Sequence, residues 1–241
     1  MKKRSCRFCI VVFILIFMHV PDYSNAQENK SSIDIGADLM SRYVWRGMNL
    51  STSAVIQPYI EYSIGGFSLG SWSSYTLAKE PYQEVDLFMT YNFKNISLTV
   101  NDYFNPVDSL FTTNNYFNWN KSSTSHAMEA MLSVADIPNL PLTFTAGVFL
   151  YGNDRNETNK NYYSTYMELA YDFCISKNDV TVFMGITPFN GMYSDKFNLV
   201  NVGLTVSKEI VVSEKFAFPL KGSFIVNPDT ENVFFVVGIS F

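Results

Sequence analysis

The chain closes on Val233-Phe-Phe-Val-Val-Gly-Ile-Ser-Phe241, and the period of that stretch decides the fold. Val233, Phe235, Val237, Ile239 and Phe241 recur at every second residue and make one continuous apolar face. Gly238 and Ser240 occupy the other face, together with Phe234 and Val236. A period of two belongs to a strand. Chain ends are usually frayed and polar, so a terminal strand this apolar needs a reason. A strand that closes a membrane barrel supplies one, because it pairs on both edges and meets lipid along its outer side. The last core strand of a soluble sandwich is the competing reading.

This ending resembles the C-terminal strand of bacterial outer-membrane barrels. The resemblance implies that the terminal Phe241 is part of a signal read by the barrel-assembly machinery. The opposite end agrees. Met1-Lys-Lys-Arg-Ser-Cys-Arg7 is a basic n-region, and residues 8–20 form an apolar run of about a dozen residues, the length of a secretory h-region. Ser24-Asn25-Ala26 is a cleavage site, so residues 1–26 are expected to be a removed signal peptide and 27–241 a single barrel domain. Cys9 lies early in the apolar run rather than after it, which argues against a lipid anchor.

Removing 1–26 takes away four basic residues and Asp22. The totals of 17 basic and 22 acidic residues become 13 and 21, a net charge of −8. That balance excludes a nucleic-acid binder, which needs a basic face. Cys174 and His126 are then the sole cysteine and histidine. One thiol excludes an intramolecular disulfide framework and a cysteine zinc cluster, and no cofactor or metal is expected. Aromatic residues make up 16% of the chain and charged residues only 16%, against roughly 25% charged in a soluble domain. Beyond the signal no run is apolar for long enough to be a membrane helix. Many aromatics, few charges and no long apolar run fit alternating strands with lipid on one side.

Taken in order, the alternation predicts about twelve strands: 33–47, 55–64, 67–77, 84–93, 96–105, 125–136, 142–152, 162–173, 180–189, 198–207, 216–226 and 233–241. Ile210-Val-Val212 fits either of the two strands beside it. Gly65-Gly66, Lys94-Asn95, 137–141 and 174–179 are short connectors, and the connectors between them are longer and polar. That asymmetry belongs to a closed antiparallel transmembrane β-barrel with short periplasmic turns and longer extracellular loops. Both termini then fall on the periplasmic side. In the first strand Tyr43 and Trp45 share the apolar parity and read as part of an interfacial aromatic girdle.

The opposite parity looks into the lumen. Its charged members are Asp38, Arg42, Arg46, Glu61, Asp86, Glu129, Glu168 and Lys221. Opposed charges of this kind make a polar eyelet that orients small solutes, or else ion pairs that brace the wall. Arg42 and Arg46, four apart on one strand, stand about 13 Å from each other by strand rise. At about twelve strands the lumen lies between the filled and the open regime. Inward Trp72, Phe88, Tyr103, Phe149, Tyr166 and Phe183 either narrow it or plug it.

Asp38-Leu-Met-Ser-Arg-Tyr-Val-Trp-Arg-Gly47, Gln57-Pro58 and the hairpin from Gly65-Gly66-Phe67 to Gly70-Ser71-Trp72 resemble the TorF-type porin family, over residues 33–75. These are outer-membrane proteins of about this length whose function is unsettled. The resemblance implies a barrel and a channel, and brings neither a substrate nor catalytic residues.

Two further classes compete. The longest connector, 106–123, carries Tyr116, Phe117 and Trp119 among asparagines, a mixture that can stack on and hydrogen-bond a surface glycan or partner. Catalysis has one candidate, His126, beside Ser125 and near Ser122, Ser123 and Thr124. A nucleophilic pair needs a third group to orient its base, and no acid matches His126, which falls on the outward parity. Outward Asp102 is expected near the rim, where a carboxylate costs little. The reading is therefore a non-enzymatic passive channel for small polar solutes in the outer membrane of a Gram-negative bacterium. Its partners are outer-membrane lipid and the assembly machinery. A plugged barrel with an adhesive or structural role is the alternative, and a lipid-modifying enzyme stands behind both.

Overall fold

The computed structural model describes residues 31–78, 82–106, 115–214 and 216–241. The expected signal peptide lies outside those residues, as do 79–81 and 107–114 of two long connectors. Twelve antiparallel strands close on themselves. They are β1 (Ser31–Met40), β4 (Val55–Ile64), β5 (Phe67–Thr76), β6 (Gln83–Phe93), β7 (Ile96–Phe104), β8 (His126–Val134), β9 (Leu142–Gly152), β10 (Thr165–Ile175), β11 (Asn178–Thr187), β12 (Asn198–Ser213), β13 (Phe216–Asn227) and β14 (Asn232–Ser240). Each strand pairs with its neighbour in sequence, and β1 also pairs with β14. Two short strands, β2 (Tyr43–Trp45) and β3 (Met48–Ser51), pair only with each other.

Alternation sets the two faces. Tyr62, Leu69, Met89, Val100, Ala130 and Val148 lie opposite one another on successive strands and form one outward row. Below them Phe67, Tyr91, Leu98, Leu132, Ala146 and Met167 form a second. Large apolar side chains on this face are exposed all round the wall, Ile35 to 74%. An apolar belt this continuous is soluble only in hydrocarbon. Tyr62, Tyr91, Phe93, Tyr171 and Phe216 mark its short-turn end, and Tyr75, Trp119 and Tyr163 the other. Those rings are the girdles of a membrane-spanning barrel.

The inner face is polar. Near the short turns, hydroxyls pair across neighbouring strands: Ser63 with Ser68 at 2.7 Å, Thr90 with Thr99 at 2.9 Å and Thr205 with Ser223 at 2.8 Å. These pairs satisfy inward hydroxyls across neighbouring strands.

The reading of the first strand needs correction. The first strand does not run to residue 47. It ends at Met40, and the chain turns into the barrel. Tyr43 and Trp45 are therefore lumenal rather than girdle residues, and the 13 Å separation drawn from a straight strand does not apply to Arg42 and Arg46. The Ile210-Val-Val212 ambiguity resolves in favour of β12, which runs to Ser213 and carries a bulge before it. At the closing seam β14 meets only Asp38, Leu39 and Met40 of β1 in register, extended by a reciprocal backbone pair between Ala37 and Phe241 at 2.8 and 3.0 Å.

Candidate functional site

The segment between β1 and β4, expected as the end of the first strand followed by a loop, is folded inward instead. Arg46 and Gly47 sit at its tip with φ of 50° and 77°. Positive φ at both central residues gives the turn whose twist matches a tight hairpin, and Gly47 accommodates it without strain. Tyr43-Val-Trp45 then pairs back on Met48–Ser51.

The hairpin reaches the wall in almost every direction. Tyr43 packs on Trp72 of β5 at 5.5 Å and on Tyr82 at 5.9 Å between ring centroids. Trp45 meets Tyr103 of β7 at 5.6 Å, Phe149 of β9 at 6.5 Å and Tyr193 at 5.9 Å. Gly47 lies against the backbone of Val200 in β12, and its carbonyl accepts from Asn227 Nδ2 of β13 at 3.2 Å. The Arg42 guanidinium rests over the Phe234 ring of β14 at 5.8 Å. Phe149, Tyr166, Tyr193 and Val200 form a buried cluster around Trp45. The lumen at the loop end is thus stoppered by side-chain packing, while hydroxyl pairs line part of its short-turn half, beside a buried apolar cluster of Ile225, Phe234 and Val236.

Arg46 is the centre of the stopper. Its Nη1 and Nη2 donate to the two Glu129 oxygens at 2.6 and 2.9 Å, a bidentate pair. Nη1 also donates to Tyr193 Oη at 2.5 Å. The guanidinium lies over Trp45 at 4.4 Å and Tyr166 at 4.7 Å. Side-chain exposure is 9% for Arg46 and zero for Glu129. Tyr103 Oη donates to Glu129 Oε2 at 2.8 Å, which completes that carboxylate's partners. Burial raises the Tyr193 phenol well above its ordinary range, so it stays a neutral hydroxyl beside the arginine.

The other expected lumenal charges are spread out. Asp38 and Lys221 line one cavity of about 400 Å³ near the short-turn mouth, with Tyr59, Pro219 and Phe241. Glu61 accepts from Ser63 Oγ at 2.8 Å. Glu168 accepts from Tyr166 and from Asn201 Nδ2, the latter at 3.0 Å. Asp86 is buried beside Trp72 and Tyr103 in the register. A single ring of opposed charges is not what these positions form: Arg46 and Glu129 pair, Asp38 and Lys221 share the cavity at the short-turn mouth, and the others take separate partners. Tyr193 and Asn201 were not foreseen. Tyr193 comes from a connector and Asn201 follows a bulge, where a period of two gives no guidance.

On the outer wall, His126 does have an acid, contrary to the sequence reading. Asp102 places both carboxylate oxygens 2.9 Å from His126 Nδ1. Asp102 therefore lies in a contact with its side chain mostly covered, not free at the rim. Nε2 faces the Tyr116 carbonyl at 2.6 Å rather than a hydroxyl, so the dyad addresses no nucleophile. Trp119 stacks on the imidazole at 3.8 Å, and Tyr116 packs edge-on against it and Phe104. Two of the three aromatics expected to meet a partner thus fasten the connector to the wall; Phe117 touches the Tyr116 ring edge-on at 5.4 Å and is otherwise exposed, at 88%.

No protein-family profile matches the chain, so the resemblance to TorF-type porins rests on the quoted residues alone. No curated protein matches it either. The solved structures that match include a KdgM porin, with a TM-score of 0.46 and 8% identity, covering 88% of this chain and 98% of that one. A similarity of that order says nothing about what this chain passes.

Proposed function

We propose that this protein is an outer-membrane channel for small polar solutes, narrowed at its loop end by the β2–β3 hairpin. Short turns and both chain ends then face the periplasm, Phe241 is the strand end presented to the assembly machinery, and the belt is solvated by outer-membrane lipid. The observation that carries this reading is the division of the lumen. Its short-turn half carries cross-strand hydroxyl pairs, and its loop half is closed by a hairpin that shares no strand pairing with the wall. A constriction built from side-chain contacts sets pore size without being part of the cylinder. The refolded protein in a planar bilayer should give discrete current steps, small for a barrel of this width. Absence of steps from protein shown to be folded by heat-modifiable gel migration would remove the reading.

The buried Arg46–Glu129 pair favours a second reading, a permanently plugged barrel with an adhesive or structural role. It requires zero conductance both in the native chain and after the pair is broken. Lipid hydrolysis lost in His126→Ala would instead bring back enzyme chemistry, against the placement of Nε2 on a backbone carbonyl.

A further inference from the structure

Glu84 and Asp86 occupy adjacent inward positions of β6, about 7 Å apart by strand rise. Both are buried, at 4% and 6% exposure. Among the described residues the ion pairs are Arg46–Glu129 and His126–Asp102, and neither includes these two carboxylates. Two unpaired negative charges side by side away from water are strongly unfavourable, so something must neutralise them. Glu84 is part-satisfied: Oε1 accepts from Asn105 Nδ2 at 3.1 Å and Oε2 from Tyr82 Oη at 3.0 Å. Asp86 Oδ1 has no hydrogen-bond partner and is sealed from solvent. The same is true of Asn105 Oδ1, on the side chain whose amino group is already committed to Glu84.

Both orphans in this cluster are acceptors, and that is informative. A proton on one carboxylate would remove one of the two charges and, as a single hydrogen bond, would answer at most two of these oxygens. A cation answers several oxygens at once. We infer that Glu84, Asp86 and Asn105 form a binding site for a hard divalent cation of calcium's type. Every group offered is oxygen, which selects a hard ion, and two carboxylates match a double charge. No three His, Cys, Asp or Glu side chains converge to hold a metal among the described residues, so neutral oxygens and water must supply the remaining ligands. Calcium accepts that irregular shell where magnesium demands a near-ideal octahedron. The site lies where the stopper meets the wall, since Tyr43 packs on Trp72 and Tyr82 directly beside it.

Trp72, opposite Asp86 in the register, makes terbium a suitable probe, because an indole beside the ion sensitises its emission. The refolded protein in detergent should give saturable terbium luminescence that calcium displaces and potassium does not. Asp86→Asn and Glu84→Gln should each weaken it by roughly tenfold or more. Glu157→Gln, on an exposed connector, should leave it unchanged. Emission equal in the native chain and in folded Asp86→Asn, or indifferent to calcium, overturns the site and leaves a shared proton as the neutralising group. If Asp86→Asn does not fold, Asn105→Ala takes its place, since it removes one neutral ligand, and unchanged affinity there overturns the site equally. Channel conductance does not enter either readout, so the site and the channel stand or fall separately.

Discussion

Arg46 at the tip of the inward hairpin and Glu129 on β8 are joined by two hydrogen bonds across 83 residues of sequence, with both side chains out of solvent. Such a pair adds little net stability over an apolar contact, but losing one partner leaves a buried charge and costs about 3–5 kcal/mol. Glu129→Gln strands the guanidinium among aromatic rings. The cheapest response is for the hairpin to leave the wall, because no strand pairing holds it there. Single-channel conductance of Glu129→Gln should therefore rise above that of the native chain. Folded Glu129→Gln with native conductance would mean that the hairpin does not set the pore.

Gly47 offers the same test through the backbone. Its φ of 77° disfavours any side chain, and a Cβ there would run into the Val200 carbonyl. Gly47→Ala should lose about 1–3 kcal/mol from the dihedral alone, with the clash in addition, and should also raise conductance. Gly222 lies on β13 with nothing within 4 Å of an added Cβ, so Gly222→Ala should be close to neutral. Thermal unfolding of the two variants side by side separates hairpin damage from a general cost of losing glycine.

The two arginines that look alike in the sequence should behave differently. Arg42 has a ring contact with Phe234 and no carboxylate partner among the described residues, so its charge faces the lumen unspent. Arg42→Glu should shift ion preference towards cations, read as a reversal potential across a salt gradient. Arg46→Glu should act chiefly on conductance, because it places a carboxylate against Glu129. An unchanged reversal potential in Arg42→Glu makes that residue a packing element only.

What alternation could and could not reveal follows from the physics of each segment. Strands β4 and β9 run over 55–64 and 142–152 as expected, because lipid on one side and water on the other enforce a strict period of two. The same rule failed at Tyr43 and Trp45, whose parity continues that of Ile33 and Ile35 although the chain has already left the wall. A short hairpin also alternates, so the period survives the turn. The available signal was Arg46-Gly47, a pair fit for positive φ in the middle of a supposed strand. Asp102 and His126 were each placed on the outward face, but their contact depends on the register between β7 and β8, where Phe104 pairs with His126 and Asp102 with Met128. Register joins residues that sequence distance separates, and no single strand carries it.

The lipid-facing assignment itself is testable by one charge placed on either side of the same strand. Val100 stands in the middle of β7 on the outward row, between Met89 and Ala130. Thr99 is its inward neighbour and pairs with Thr90 at 2.9 Å. In a bilayer, arginine at Val100 must be solvated by hydrocarbon, at a cost of roughly 2–4 kcal/mol near the midplane. Arginine at Thr99 meets the polar half of the lumen and gives up one hydroxyl pair, worth about 1 kcal/mol. Denaturant unfolding from lipid vesicles should therefore rank Val100→Arg well below Thr99→Arg. The ranking should narrow in detergent, where a micelle deforms around the charge. The reverse order would mean that the exposed apolar rows meet something other than lipid, and the barrel would have to be read as one that buries its outer face against protein.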